Sequence, residues 1–286
     1  MRRGHRFLSL SLWPAHVLHL FDMSDAAELW DAAQKGDVRA VRELAPLTLS
    51  SEYAPALLIA AINDHVPVLT ALSARSANFD QCTRAADGWD VGLLHNACLH
   101  GSIGAVHWLI DRGADVNRRS AGLDAPLEAA SYNGHLEVVQ LLLERGAGAS
   151  TLCMMHAVEG GHVDVVLVLA GAKCDVEALA QDDRTPLTAA AARGHVDVIR
   201  ALVQCKADVN RPDEPDLYGM TPLCTAALNG HVHAIRALVE AQAGVNVRCP
   251  RGLTPLVYAM GPGNADALGN GPVLELLRLK ADPRPP

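Results

Sequence analysis

The sequence predicts an all-α solenoid, a stack of helix-turn-helix units joined by loop or β-hairpin fingers. The first observation behind this prediction is self-similarity, because seven segments of one pattern align without gaps along the 286-residue chain. The second is a helical spacing of apolar residues inside each segment. A unit of two short helices cannot bury its apolar face alone, so neighbouring units must stack to form a core.

Each repeated segment opens at a Gly-His or a related dipeptide. After Gly194-His195, the residues Val196, Ile199 and Leu202 follow three apart, which places them on one face of a helix. The same columns recur after every anchor. The anchors begin at Gly36, Asp64, Gly101, Gly134, Gly161, Gly194 and Gly230.

An Ala-rich helix precedes each anchor. In Thr185-Pro186, Thr221-Pro222 and Thr254-Pro255, threonine can cap the helix while proline suits its first position. The glycine of the next anchor ends this helix, because left-handed backbone costs glycine little. Ala207-Asp208-Val209-Asn210, between units, is typical of a turn.

Composition excludes several classes of function. The chain has 24 Lys and Arg against 32 Asp and Glu, a net charge of −8, which disfavours binding to nucleic acid. Its seven cysteines are an odd number with no Cys-x-x-Cys pair, so neither a disulfide framework nor a cysteine zinc cluster is indicated. We therefore expect a reducing compartment, the cytoplasm or the nucleus.

The N-terminal 22 residues form a separate segment. Basic residues precede an apolar run, as in a secretory signal, but Pro14, His16 and His19 interrupt it and the run is too short to span a membrane. We expect residues 1–22 to be an extension, disordered or targeting-like. Secretion through it, or a helix packed on the domain, are the alternatives. The solenoid is assigned to residues 23–282 and a tail to residues 283–286.

No constellation of residues indicates catalysis or a cofactor. The pairs His95/Cys98 and Cys153/His156 are each spaced for one helix face, but a metal needs three or four ligands. The histidine of each Gly-His occurs once per unit, which favours a role in packing and turn hydrogen bonding over metal binding. We expect no enzyme, no metal and no cofactor.

These residues resemble the ankyrin repeat. The match runs from Thr185-Pro186-Leu187 through Gly194-His195 to Ala207-Asp208-Val209-Asn210, and again from Thr221 to Asn246. About eight units cover the chain, with the first two and the last degenerate. The 27-residue unit before Gly161 is short, so one finger should be missing there.

The resemblance implies a concave face that binds a protein or peptide, with contacts just before each Thr-Pro step and each closing glycine. Carried onto this chain, the contact positions are Trp89, Val91, Leu99, His100, Asp124, Tyr132, Asn133, Arg184, Arg193, Leu217, Tyr218, Met220, Leu228, Asn229 and Leu253. The resemblance also implies candidate modification sites, because members of the family are often substrates of an asparaginyl hydroxylase; these are Asn117, Asn210 and Asn246.

We therefore expect a non-enzymatic protein-interaction module, monomeric and without a membrane span. Two alternatives stay open. The chain is a substrate-recognition adaptor of a larger assembly such as a ubiquitin ligase, or it is the repeat region of a larger signalling protein. The end of the chain soon after the last repeat counts against a C-terminal recruiting box.

Overall fold

The helix-turn-helix pattern predicted from the repeats is confirmed. The computed structural model describes residues 23–45, 53–74, 92–119, 124–180, 183–213, 219–260 and 271–279, which form helices and turns without a β-strand. The fingers are therefore loops wherever they are described. Two compact units divide the chain, Met1–Leu93 and Leu94–Pro286, and each is considered by itself. The predicted extension 1–22, the tail 283–286 and the contact positions Trp89, Val91, Leu217 and Tyr218 lie outside the described residues.

The helices come in pairs, and in each pair the odd-numbered one is called the first helix and the even-numbered one the second helix. The first compact unit contains two pairs, α1 (Met23–Lys35) with α2 (Val38–Leu44) and α3 (Tyr53–Ile62) with α4 (Val66–Ser73). The pairs that follow are α5 (Leu93–His100) and α6 (Ile103–Ile110), α7 (Pro126–Tyr132) and α8 (Leu136–Glu144), α9 (Thr151–Gly160) and α10 (Val163–Gly171), α11 (Pro186–Arg193) and α12 (Val196–Gln204), α13 (Pro222–Leu228) and α14 (Val232–Glu240), and α15 (Pro255–Ala259) and α16 (Gly271–Arg278).

The core follows the repeating columns. Ile199 and Leu202 of α12 are fully buried, as predicted for their columns. Val196 is only half-buried, because it lies at the first position of its helix. Ala189 and Ala190 are fully buried in α11, which packs against both α9 and α13. Small side chains let these first helices approach closely.

Local signals decide where the first helices begin and end. The hydroxyl of Thr185 accepts a hydrogen bond from the backbone N–H of Thr188 at 3.1 Å, and Thr221 caps α13 in the same way through Cys224 at 3.3 Å. Gly194 ends α11 in the left-handed region, with φ of 73°. The cap suggested for Thr254 is wrong, because its side chain makes no capping hydrogen bond.

One finger is missing, as predicted. Only residues 145–150 connect α8 to α9, whereas residues 205–221 connect α12 to α13. Ser150 closes the short connection, since its hydroxyl accepts from the backbone N–H of Cys153 at 3.4 Å and caps α9. The connection before α9 is therefore shorter than the one before α13 by the length of a finger.

Glu128, on α7 of the preceding unit, makes a contact with this short connection. Its buried carboxylate accepts hydrogen bonds from the Ala125 backbone N–H and the Ser150 hydroxyl, both at 2.9 Å, and pairs with the Arg119 guanidinium. Glu128 stands in the column where the family pattern has histidine. The long acidic side chain thus links α7 to the start of α9 across the short connection.

A bidentate ion pair holds the last helix. Nε and Nη2 of Arg236 on α14 donate to the two carboxylate oxygens of Glu275 on α16, at 2.9 and 3.1 Å. Hydrogen bonding from Arg236 lowers the pKa of the Glu275 carboxyl. The α16 helix therefore docks on α14 through charge as well as apolar contact.

Replacing Thr225 with valine is expected to stabilise the protein by about 1 kcal/mol. In the described part of the chain, only the hydroxyls of Thr225 and Thr254 are buried side-chain groups without a hydrogen-bond partner. Valine keeps the shape of threonine and removes the hydroxyl that lost its water on folding. The measurement is the urea midpoint of the 286-residue chain.

The matched control is Thr188→Val on α11. Thr188 is equally buried, but its hydroxyl hydrogen-bonds to that of Thr185 at 2.9 Å, so this variant should be destabilised. A lower midpoint for Thr225→Val as well would mean that its hydroxyl is satisfied in solution.

Candidate binding surface

The principal candidate surface lies in the second compact unit, residues 94–286, at the C-terminal ends of its first helices. We call this surface the helix-end row. It consists of the two residues before each closing glycine. Its members are Leu99, His100, Tyr132, Asn133, Glu159, Gly160, Ala192, Arg193, Leu228, Asn229, Ala259 and Met260. Tyr132 is 57% exposed, Leu228 39% and Met260 52%. Large apolar groups therefore face solvent at three places in the row.

The histidines that immediately precede the second helices hydrogen-bond to residues of the row in the preceding unit. Nε2 of His162 donates to the backbone carbonyl of Tyr132 at 3.1 Å, and His195 and His231 make equivalent bonds to Glu159 and Ala192. A Cβ on Gly194 would lie 2.8 Å from ring atoms of His231. Each Gly-His pair thus joins consecutive units, which confirms a structural role for the repeated histidines.

The middle of the row is charged. The Glu159 carboxylate on α9 lies between two guanidiniums, 3.3 Å from Nη2 of Arg184 and 3.6 Å from Nη2 of Arg193. Arg193 is 54% exposed, whereas Arg184 and Glu159 are each about 30% exposed. The structure therefore brings two predicted contact residues together around an acid that the sequence prediction missed.

An aromatic pair lies beside this centre. The ring of Tyr132 on α7 meets the imidazole of His156 on α9 edge to face, with centroids 5.4 Å apart. His156 also contacts the Glu128 carbonyl through Nδ1 at 3.3 Å. These contacts orient Tyr132, and much of its ring stays open to solvent.

The other predicted positions occupy varied environments. Leu99 is half-buried, and its carbonyl accepts from the Asn133 amide at 2.6 Å and from His135 at 3.0 Å. His100 and Asn229 are exposed, but each side chain bonds back to its own helix. Asp124 is exposed, and its backbone carbonyl accepts from His95 at 2.8 Å.

Met220 and Leu253 stand just before the last two first helices. Both are half-buried, and the carbonyls of both accept backbone hydrogen bonds across their fingers, from Asp213 and Cys249 at 3.0 Å. The backbone of these two residues therefore helps to hold the fingers, and contact of their side chains with a partner stays a prediction.

The asparagines predicted as hydroxylation sites are exposed but engaged. The Asn117 amide donates to the Gly146 carbonyl at 3.1 Å and accepts from the Gly148 N–H at 2.8 Å. Asn210 accepts from the Gly244 N–H at 2.8 Å. Asn246 is exposed as well. Asn117 and Asn210 thus each tie a turn to the turn of the next unit, and hydroxylation of the three stays a prediction.

Four of the described cysteines are poor nucleophiles. Burial raises the pKa of the Cys98 and Cys153 thiols, and it raises those of Cys174 and Cys224 to about 11. At neutral pH these groups are almost entirely protonated, whereas nucleophilic attack requires the thiolate. Within the described residues no three His, Cys, Asp or Glu side chains are grouped as a metal site would require.

None of the helices described is both long and apolar enough to cross a bilayer.

The fold and its exposed row define a helical repeat protein, built from stacked helix-turn-helix units. Family models for ankyrin repeats match residues 29–120, 57–151 and 127–213 in one case and residues 202–259 in another. Together these matches cover most of the chain, which belongs to the ankyrin-repeat family.

Similar proteins include larger ones. The probable E3 ubiquitin-protein ligase XBOS31 of Oryza sativa subsp. japonica is 28% identical over 169 residues, which are 57% of this chain and 31% of the ligase. Transient receptor potential cation channel subfamily A member 1 of Drosophila melanogaster is 29% identical over 111 residues, 35% of this chain and 9% of the channel. The chain thus spans less than a third of either relative.

A solved structure shares the fold. The crystal structure of the human ASB11 ankyrin repeat domain superposes with a TM-score of 0.61 and covers 90% of this chain and 99% of that domain. The sequence identity is 23%, so the likeness concerns the fold alone.

Proposed function

We propose that this protein is a non-enzymatic interaction module that binds a protein or peptide along the helix-end row and the neighbouring fingers, the concave face of the family. The observation that carries the proposal is the exposure of Tyr132, Leu228 and Met260, each of which lies within two residues of the closing glycine of its unit. Aromatic residues and methionine are enriched in protein interfaces. The core does not need these side chains, because Leu127, Leu223 and Leu256 of the same helices are already buried.

The second helices support this choice of face by contrast. Their outward positions carry charged residues such as Glu137, Asp164 and Asp197, which are exposed. Leu167 on α10 is the large apolar residue exposed there in the described part of the chain, at 39%. A single exposed leucine is ordinary for a soluble surface. The three large apolar residues exposed at the ends of first helices are therefore the better candidate for a binding surface.

Affinity capture tests the proposal, with the 286-residue chain as bait. We expect the double variant Tyr132→Ser/Leu228→Ser to reduce capture of specific partners by about tenfold or more, as loss of interface anchors does. The control is Leu167→Ser, because Leu167 and Leu228 are both 39% exposed but lie on different helices of their pairs. Far-UV circular dichroism checks that each bait is folded.

Equal capture by the double variant and the parent would place the partner elsewhere on the molecule. Loss of capture with Leu167→Ser alone would assign the partner to the second helices instead.

The remaining properties are proposed from the same reasoning. The six cysteines within the described residues are free thiols, five of them buried, which suits a reducing compartment such as the cytoplasm or nucleus. The net charge of −8 makes nucleic acid an unsuitable partner. We propose that the chain acts as a monomer and that Trp89, Val91, Leu217 and Tyr218 also take part in binding.

The alternative is a recognition region that serves a larger assembly. Two of the similar proteins, XBOS31 and XBOS33 of Oryza sativa subsp. japonica, are named as probable E3 ubiquitin-protein ligases. In that case the row would bind a substrate and another part would act on it. Ubiquitin conjugates on the captured partner, reduced when Tyr132 and Leu228 are replaced, would favour this alternative.

A further inference from the structure

The charged centre of the helix-end row divides it into two apolar parts. Tyr132 lies one unit before Glu159, and Leu228 lies one unit after Arg193. Between them are two guanidiniums and one carboxylate in contact, Arg184, Arg193 and Glu159. The order along the row is therefore aromatic, charged, apolar.

We infer that the partner segment carries a carboxylate between two apolar residues, and that this carboxylate binds Arg193. The inference rests on the proposed function and names the chemistry of the partner. The Arg193 guanidinium has five N–H donors, and its contact with Glu159 at 3.6 Å engages only part of that capacity. A carboxylate from a partner can bind the remaining donors of Arg193 while the Glu159 pair persists.

Charge selects against the opposite partner. A lysine or arginine from a partner would have to compete with two guanidiniums for the carboxylate of Glu159. Two further acids, Asp182 and Asp183, precede Arg184 in the sequence, and Asp183 is exposed. Asp183 comes before α11 and Arg193 ends that helix, so Asp183 lies at the opposite end of α11 from Arg193.

The repeat spacing sets the length of the partner segment. Packed helices lie about 10 Å apart, so the three steps from Tyr132 to Leu228 cover about 30 Å. An extended chain covers this distance with about nine residues. The acidic residue should lie about three residues from the apolar residue that contacts Leu228 and about six from the one that contacts Tyr132.

The experiment is a selection of displayed random peptides of about twelve residues on the 286-residue chain. We expect enriched peptides to share a central Asp or Glu between apolar residues. Their affinity should fall at least about tenfold for Arg193→Glu, less for Arg193→Gln, and should weaken with rising salt. Replacing the central acid of the peptide by lysine should restore binding to Arg193→Glu.

Arg200→Glu is the matched control. Arg200 is 58% exposed on α12, close to the 54% of Arg193, but it belongs to a second helix and is paired with Asp197 and Glu240. Its reversal should leave peptide affinity unchanged. Asp183→Asn should leave affinity unchanged or raise it.

Three results would overturn the inference. They are enrichment of basic or uncharged centres, equal loss for Arg193→Glu and Arg200→Glu, and the absence of any enriched peptide. Peptides that depend on Tyr132 but not on Arg193 would overturn the acidic centre and leave the proposed function intact. Failure of the proposed function itself is read separately, from protein capture by the Tyr132/Leu228 variant.

Discussion

Replacing Glu128 with alanine is expected to lower the free energy of unfolding by about 3 kcal/mol. The carboxylate is buried, and it accepts from the Ala125 N–H, the Ser150 hydroxyl and the Arg119 guanidinium. Alanine removes the acceptor of all three donors and leaves a cavity beside the shortest connection between described pairs. Urea unfolding of the 286-residue chain, followed by circular dichroism, measures the change.

Two further variants show whether the position or the charge matters. Glu144→Ala removes an exposed acid at the end of α8 and should change stability by less than about 0.5 kcal/mol. Arg119→Ala should cost less than Glu128→Ala, because the arginine side chain is half-exposed and Glu128 keeps its two neutral donors. A midpoint for Glu128→Ala equal to that of Glu144→Ala would contradict the buried network.

Leu202→Ala should destabilise the protein by about 2–5 kcal/mol, the range for a truncated leucine in a rigid core. Leu202 is fully buried on α12. That helix packs against α10, α11 and α14, so the cavity would open between units as well as within one. The measurement is again the urea midpoint, with the slope of the transition recorded, since an array of repeats can lose cooperativity.

Leu167→Ala makes the same chemical change at an exposed position. Leu167 on α10 is 39% exposed and should cost less than about 1 kcal/mol. Similar losses for both leucines would mean that the repeat register is wrong.

The fold could be predicted because its signals are local and repeated. The spacing of Val196, Ile199 and Leu202 defines one helix face, and Thr185-Pro186 and Gly194 mark the ends of the preceding helix. The apolar spacing recurs in seven segments and the closing glycine in most of them, so an ambiguous signal in one unit is supported by the next. Thr254 shows the limit of this reasoning, since it has the capping sequence without the capping hydrogen bond.

The sequence predicts which positions of the repeat form the candidate surface, but not which side chains contact one another there. The register alone places Tyr132, Arg193 and Leu228 before closing glycines, and the same register would have found Glu159 before Gly161 and Met260 before Gly261. That Arg184 and Arg193 share Glu159 could not be read from sequence, because side-chain distances across units depend on rotamers. The link from Glu128 to Ser150 is hidden for the same reason.

The Gly-His contact has a consequence for how such a gene can change. A segment that runs from His195 to Gly230 carries the ring that bonds to the Glu159 carbonyl of the preceding unit. It also carries α12 and α13, against which the helices of the next unit pack. Tandem duplication of a whole segment of this kind reproduces an existing junction at each new boundary. Loss of finger residues leaves the ring-to-carbonyl bond in place, as His162 and Tyr132 show across the short connection, whereas loss of part of a helix would shift the two groups apart. Evolution can therefore lengthen or shorten the array in whole units while its interfaces stay intact.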